Sequence, residues 1–350
     1  MILFFCSVLL LKAQDNSNYR RSNMFYIMDI APEARAAGMG DVGVATSPDV
    51  MSQKWNASKY IFAEPRGGIA LSYTPWLSKI AKGLNIEYLS GYFRFAEKSA
   101  IGFSANYLSI GEINLTDMFG TDMGTISSAN QYTIDASYSH RLGENLSGGI
   151  TLRYASTYMV ESTGTPNGGV LRSSPAFTGD VSFFYTKPLT AFGKDNNLAI
   201  GTSISNLGTK VKMSNDDEAL MPMNWRLGAS WEMNIDTRNI VTASFDVVKS
   251  LVPLNYTSDI TVFEAIGKSF DKSRDLVCAF GLEYSFMKTA MLRTGYHNSR
   301  NIKGFRYFTL GAGLMYRSIN FDVSYLISAS SLNTSISNTF RLTLSYVWNR

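Results

Sequence analysis

Gly38-Met39-Gly40-Asp41-Val42-Gly43 has the G-x-G-x-x-G spacing that cradles a dinucleotide pyrophosphate. That chemistry needs a buried strand before the motif and a helix after it. Pro32-Glu33-Ala34-Arg35-Ala36-Ala37 is no buried strand, and Pro48 interrupts the following segment too soon for the helix. The glycines instead suit a backbone that turns tightly. His140 and His297 are the only histidines. A Ser–His–acid hydrolase site would need one of them, yet there is no G-x-S-x-G and no acid placed in sequence to orient either ring. Two separated histidines are also a poor metal set. Asn215-Asp216-Asp217-Glu218 offers oxygen ligands for Ca²⁺ but lacks the spacing and glycine of a calcium loop, so it reads as a solvated loop tip. The residues therefore predict no catalytic, cofactor-binding or metal site, and a protein that is not an enzyme.

Five arginines point elsewhere. Arg94, Arg153, Arg226, Arg293 and Arg341 lie inside segments that alternate apolar and polar residues. In one, Phe340, Leu342, Leu344, Tyr346 and Trp348 alternate with Arg341, Thr343, Ser345 and Val347; in another, Trp225, Leu227, Ala229, Trp231 and Met233 alternate with Asn224, Arg226, Gly228, Ser230 and Glu232. Period two means strands with one apolar and one polar face. About fourteen such segments follow one another, over 67–75, 84–95, 99–110, 131–142, 146–157, 177–187, 196–206, 221–233, 238–248, 276–286, 289–297, 306–317, 319–328 and 338–348. Each is near the roughly 9–11 residues that a tilted strand needs to cross a bilayer.

The apolar faces are rich in Tyr, Trp and Phe near the strand ends, as in the aromatic girdles of a membrane barrel. The polar faces then line the lumen. A charge facing lipid costs about 2–4 kcal/mol at the midplane, so the five arginines should point inward, to pair with Asp135, Asp180 or Asp246 or to hold a plug. Connections alternate long (111–130, 158–176, 249–275) and tight (143–145, 234–237, 287–288), with 188–195 longer than the rule expects. With an even strand number both termini face the periplasm.

Composition agrees. The 350 residues are 45% hydrophobic but only 17% charged, and mean hydropathy is −0.04. This excludes a multi-span helical membrane protein, which needs runs of about 20 apolar residues, and it excludes a disordered chain. A net charge of +4 implies no nucleic-acid partner. Ile2–Leu11 followed by Lys12-Ala13 is similar to a secretory signal peptide, assigned to residues 1–13. Its removal takes Cys6 and leaves Cys278 as the single cysteine, so no internal disulfide and no cysteine zinc site can form. Residues 14–66 lack the strand pattern and are assigned to a hatch, with Ser47-Pro48-Asp49 starting a helix to about Trp55. Residues 67–350 form the barrel.

Pro32–Ala45 resembles the entry motif of the FadL-like outer-membrane barrel superfamily. Its continuation, Thr46–Tyr60, resembles the PorV family of the type IX secretion system, as do Leu71–Leu77, Leu108–Asp117 and Leu152-Arg153-Tyr154. The family's Asn-Pro-Ala is here Asn56-Ala57-Ser58. The resemblance implies an all-β transmembrane antiparallel barrel of fourteen strands in the outer membrane, with Arg35, Gly38, Gly40, Asp41, Gly43 and Asn56 as hatch residues. It further implies a shuttle that receives cargo from the translocon barrel Sov (SprA) through the cargo's C-terminal signal domain. The shuttle then delivers that cargo to the attachment complex of the sortase PorU. No cofactor comes with the role. Loop position nominates Tyr158, Met159, Leu251, Val252 and Phe263 as cargo contacts. The competing reading is a channel for hydrophobic small molecules, and a near relative in role is the sister component PorQ.

Overall fold

A computed structural model describes residues 25–76, 83–116, 122–161, 175–191, 193–212, 218–253, 256, 259–270, 276–299, 306–329 and 339–349. The sixteen strands are β1 (Gly67–Pro75), β2 (Asn85–Ala96), β3 (Ser99–Thr116), β4 (Asp122–Arg141), β5 (Leu146–Glu161), β6 (Ala176–Ala191), β7 (Lys194–Gly208), β8 (Val211–Lys212), β9 (Glu218–Ala219), β10 (Asn224–Asn234), β11 (Asn239–Ser250), β12 (Leu276–Phe286), β13 (Ala290–Ser299), β14 (Arg306–Tyr316), β15 (Ile319–Ser328) and β16 (Phe340–Trp348). Fourteen of them close into one antiparallel barrel, sealed where β1 pairs with β16 from Gly67↔Trp348 to Tyr73↔Leu342. The short pair β8–β9 stands apart as a hairpin.

The alternation resolves as an inside-out protein. On β16, Phe340, Leu342, Leu344 and Tyr346 are exposed, whereas Arg341 and Thr343 are each 2% exposed. Leu71, Leu152, Leu292 and Leu314 likewise stand on the outer surface. An apolar outer surface with a buried polar inner one is what hydrocarbon selects, because closure leaves no backbone edge unpaired in lipid.

Tight connections gather at one end. Met287 and Lys288 both have positive φ (55° and 53°), the two-residue hairpin geometry that matches strand twist. The doubtful turn at 188–195 is also tight, because β6 and β7 run on to Ala191↔Lys194. At the other end the strands outlast their predicted limits: β3 continues to Thr116, β4 starts at Asp122 and β5 reaches Glu161. In β3 the extension keeps period two, Glu112, Asn114 and Thr116 alternating with Ile113 and Leu115. The barrel's first and last strands begin and end at the short-turn side. Asn215, Asp216, Asp217 and the expected signal peptide, 1–13, lie outside the described residues; Glu218 pairs with Lys210 at 3.2 Å.

Residues 25–66 run through the lumen. Phe25, Ile27 and Met28 pack with Ile86, Leu108, Ala155, Ala176, Val211 and Met221 in the long-loop half. Lower down, Val50, Met51, Ala57, Tyr60 and Ile61 pack against Ala70, Tyr88, Tyr92 and Ala100, with Tyr60 stacked on Tyr92 at 4.4 Å. The chain leaves at the short-turn mouth, where the Arg94 N–H donates to Arg66 O. The segment contains α1 (Ala34–Gly38), α2 (Ser52–Trp55) and a 3-10 turn (Ala57–Phe62). The predicted helix start at Ser47 is corrected: α2 begins five residues later, with no side-chain cap. Arg35 has taken the oxygens that would have capped it, donating to Ser47 Oγ at 2.7 Å and Asp49 Oδ2 at 2.8 Å.

Candidate functional site

The hatch is held to the wall by glycines and by ion pairs. A Cβ on Gly281 would lie 2.5 Å from Met39 O, one on Gly295 2.1 Å from the Met39 carbonyl carbon, and one on Gly201 2.1 Å from Val44 O. These strand glycines form a lane in which hatch backbone touches wall backbone. The hatch glycines answer them: Gly38 faces Gly311, Gly40 adopts φ +74°, and a Cβ on Gly43 would strike the Trp55 ring at 2.4 Å. The G-x-G-x-x-G is thus a close-packing device. The lane was visible as glycines at lumen-facing strand positions, but only the third dimension shows what they face.

Polar contacts lock the same path. Gly40 N donates to Thr309 Oγ1 at 2.9 Å, Thr309 Oγ1 donates to Gly38 O at 3.0 Å, and His297 Nδ1 donates to Gly40 O at 3.2 Å. Asp41 adopts φ 67° and accepts from the Tyr307 hydroxyl, and Tyr307 stacks on His297. Asp246 Oδ2 accepts from Gly43 N at 2.9 Å and Val44 N at 3.2 Å. Asn56 Nδ2 bridges Val44 O and Phe183 O at 3.0 Å each, while its Oδ1 accepts from Ser58 N and Oγ. Those last two bonds fix the turn that a proline would otherwise have stiffened.

Arg35 is the centre of the ion-pair ladder. Its guanidinium forks onto Glu283 (3.2 Å to each oxygen) and reaches Asp49. Glu283 accepts from Arg293 at 2.6 Å, and Arg293 reaches Asp322 at 2.6 Å. Glu283 and Asp322 lie on the polar faces of alternating strands, but only the fold shows that they share Arg293. The other inward arginines behave as expected. Arg153 pairs with Asp135 and Asp180, Arg226 lies 3.6 Å from Asp246, Arg341 donates to Ala31 O, and Arg94 donates to Ile61 O.

Burial shifts the hatch's own ionisable groups. It pushes Glu33 up to about 7, helped by the nearby Asp49 charge, although Glu33 accepts from Ala36 N and Trp55 Nε1. Burial brings Lys54 and Lys59 down to about 8. Lys59 Nζ donates to Gly43 O at 2.8 Å and Thr46 Oγ1 at 3.0 Å. Burial alone would raise Asp49, but the Arg35 and Lys59 charges outweigh it and hold its carboxyl below the usual range.

The long-loop end carries the second candidate surface. α3 (Val262–Ser269) opens with a capping box, Thr261 Oγ1 accepting from Glu264 N while Glu264 accepts from Thr261 N. The T-x-x-E spacing that marks it is legible in the sequence. Leu251 and Val252 are not exposed contacts: they are buried with Leu220, Met223, Ile260 and Ala265 as the base on which α3 stands. Phe263 projects from α3 with 86% of its surface exposed. Tyr158 is exposed near the end of β5; the neighbouring Met159 belongs to the same strand, but its side chain lies outside the described residues. The structure thus puts Leu251 and Val252 beneath α3 and Phe263 on its exposed face, and brings together the hatch residues Arg35, Gly38, Gly40, Asp41, Gly43 and Asn56 elsewhere. His140 meets Ser99 and Tyr138 at a strand end, apart from His297. Among the described residues no group of three His, Cys, Asp or Glu side chains could hold a metal ion.

A closed fourteen-stranded barrel with a plugged lumen and an apolar outer surface defines a membrane β-barrel protein. Solved structures agree on the fold. The toluene transporter TbuX of Ralstonia pickettii superposes with TM-score 0.56 at 11% identity, covering 93% of this chain and 100% of that one. The toluene transporter TodX of Pseudomonas putida gives 0.53 at 12%, covering 90% and 97%. The CymD monoaromatic hydrocarbon channel gives 0.53 at 11%, covering 91% and 98%. No curated protein matches the sequence. The family model for the type IX secretion system protein PorV matches residues 12–257, more than half of the chain, and the chain belongs to that family.

Proposed function

We propose that the protein is a non-enzymatic adaptor of type IX secretion. It binds the C-terminal signal domain of cargo released by the Sov (SprA) translocon and hands it to the attachment complex containing PorU. In this reading residues 1–13 are removed on export, 14–66 are the hatch, 67–350 form the barrel, and the short-turn end with both barrel termini faces the periplasm. The observation that carries it is the contrast between the two ends: the lumen is occupied by a hatch in backbone contact with the wall, while an exposed aromatic stands on a capped helix above the long loops. Loops on a rigid scaffold are a common recognition arrangement. The test is recovery of cargo with the affinity-purified barrel from membranes. Phe263→Asp, or removal of 162–174, should leave the barrel inserted and lose cargo; undiminished recovery from both variants refutes the assignment of this surface.

The channel reading draws on the fold shared with the toluene transporters. It requires an apolar pocket beside the hatch. One cavity is lined by charged groups such as Lys54, Asp135, Arg153 and Asp180, and the one at the short-turn mouth mixes charged side chains with Phe62, Met291 and Met315; neither is the wholly apolar pocket a channel needs, which favours the adaptor. Uptake of a labelled fatty acid by liposomes containing the protein would reverse that preference.

A further inference from the structure

Between the hatch and the short-turn mouth lies a cavity of about 1280 Å³. Its ion pairs are mostly closed among themselves. Arg35 and Arg293 are satisfied by Asp49, Glu283 and Asp322, and Lys288 by Glu64 at 3.0 Å. Two lumen-facing arginines are different. Arg94, on β2, makes one long bond of 3.4 Å to Ile61 O. Arg141, at the end of β4, lies over the Phe62 ring with its Cζ 5.0 Å from the centroid. The Nε atoms of both are buried and have no hydrogen-bond partner among the described residues. Neither guanidinium has an ion-pair partner there, although Arg153, Arg226 and Arg293 all do. One strand separates them, and both converge on the adjacent residues Ile61 and Phe62.

We propose that Arg94 and Arg141 form a receptor for a phosphate group on a ligand that enters from the short-turn side. Partly burying two guanidiniums without a counter-ion is unfavourable, so the site is built for an anion it does not itself supply. Two cationic forks match the charge of a phosphomonoester, about −1.5 to −2, better than that of a single carboxylate. The planar fork also suits phosphate oxygens geometrically. Phe62 is the partly open apolar group beside the pair, backed by the buried rings of Phe184, 5.9 Å away between centroids, and Tyr92. Of the other carboxylates lining the cavity, Glu97 and Glu144 stand exposed on hairpin tips, Glu33 caps α1, and Glu232 makes no ion pair with either arginine among the described residues. The site is independent of the secretion reading, since it lies at the opposite end of the barrel from the long loops.

The phosphate has two possible sources, a lipid headgroup or the free anion, and titration calorimetry on the full barrel in neutral detergent separates them. The probes are dihexanoyl phosphatidic acid, inorganic phosphate and, as the zwitterionic control, dihexanoyl phosphatidylcholine. Phosphatidic acid binding more tightly than both assigns the site to a lipid phosphomonoester; equal binding of inorganic phosphate assigns it to the free anion. Arg141→Gln should weaken binding about tenfold or more, Arg94→Gln likewise, and Arg141→Lys should recover part of the loss. Arg317→Gln, at the same mouth but stacked on Tyr316, should bind as the parent does. Among the described residues Arg141 makes no hydrogen bond through its side chain to the hatch, so its variant keeps the fold, checked by heat-modifiable mobility. Absence of binding by both phosphate probes, or binding unaltered in Arg141→Gln, overturns the proposal.

Discussion

Gly295→Ala isolates the backbone contact between hatch and wall. The added methyl would sit 2.1 Å from the Met39 carbonyl carbon and 2.2 Å from Gly40 N, against an ordinary contact distance of 3.4 Å. Both neighbours are backbone atoms that no rotamer change can move, so the hatch must retreat by about 1.3 Å. That carries the Gly40–Thr309, Thr309–Gly38 and His297–Gly40 bonds, now 2.9, 3.0 and 3.2 Å, past 4 Å and out of hydrogen-bond range. At about 1 kcal/mol each, hatch docking weakens by about 3 kcal/mol, roughly a hundredfold in the undocked population. The barrel ladder is untouched, because alanine is at home in a strand whose φ is not positive. Two assays read the result: conductance bursts in planar bilayers, and trypsin cleavage after Lys59, which is fully buried while the hatch is docked. Gly143→Ala, whose nearest new neighbour is Leu146 Cβ at 3.9 Å, is the matched control. A Gly295→Ala protein as quiet and as protected as the parent would show that the hatch is not held by this lane.

Three further outcomes are expected. Arg293→Met leaves Glu283 and Asp322 facing each other without their shared cation, which should cost about 3–5 kcal/mol and lower the thermal midpoint in detergent; an unchanged midpoint counts against the ladder. Because Glu33 is raised to about 7 from the ordinary 4.5, the docked hatch holds the proton more tightly than the released one. Docking is therefore strongest below about pH 4.5 and weakens as pH rises through 7, so bursts should be more frequent at pH 8 than at pH 5, and Glu33→Gln should flatten the difference. Thr261→Ala removes the α3 cap at a cost of about 1 kcal/mol, and should reduce cargo recovery less than Phe263→Asp does, with barrel mobility unchanged in both.

The barrel was legible because strand period and lipid contact impose a strict pattern. Phe340, Leu342, Leu344 and Tyr346 face outward as the alternation required, and strand ends agree with expectation closely wherever the ladder lies in the bilayer. At the long-loop end the same pattern runs further than the expected limit: Glu112-Ile113-Asn114-Leu115-Thr116 still alternates, and β3 follows it. Arginines inside apolar-alternating strands signalled inward ion pairs, and Asp135, Asp180 and Asp246 were identifiable as partners. Glu283 stands on an equally legible polar face, but its partner Arg35, 248 positions away, is not visible in the pattern. The hatch helix was misplaced for a similar reason: local capping chemistry at Ser47 and Asp49 lost to a distant guanidinium. Leu251 and Val252 show the limit of loop position as a guide, because a connection long enough to hold α3 builds its own small core.

The path of residues 25–66 constrains the order in which the molecule is assembled. The segment enters among side chains of the long-loop half and exits beside Gly67 at the short-turn mouth, and the seam there joins Gly67 to Trp348, nearly the whole sequence apart. Long-separated partners meet late, because closing so large a loop carries the largest entropic penalty. Pulling a folded segment lengthwise through a finished cylinder would mean dragging Trp55 and Tyr60 past a wall fitted to within an atom's width. The sheet must instead curl up around a segment already laid across it, with the last strand fastening the cylinder shut over its contents.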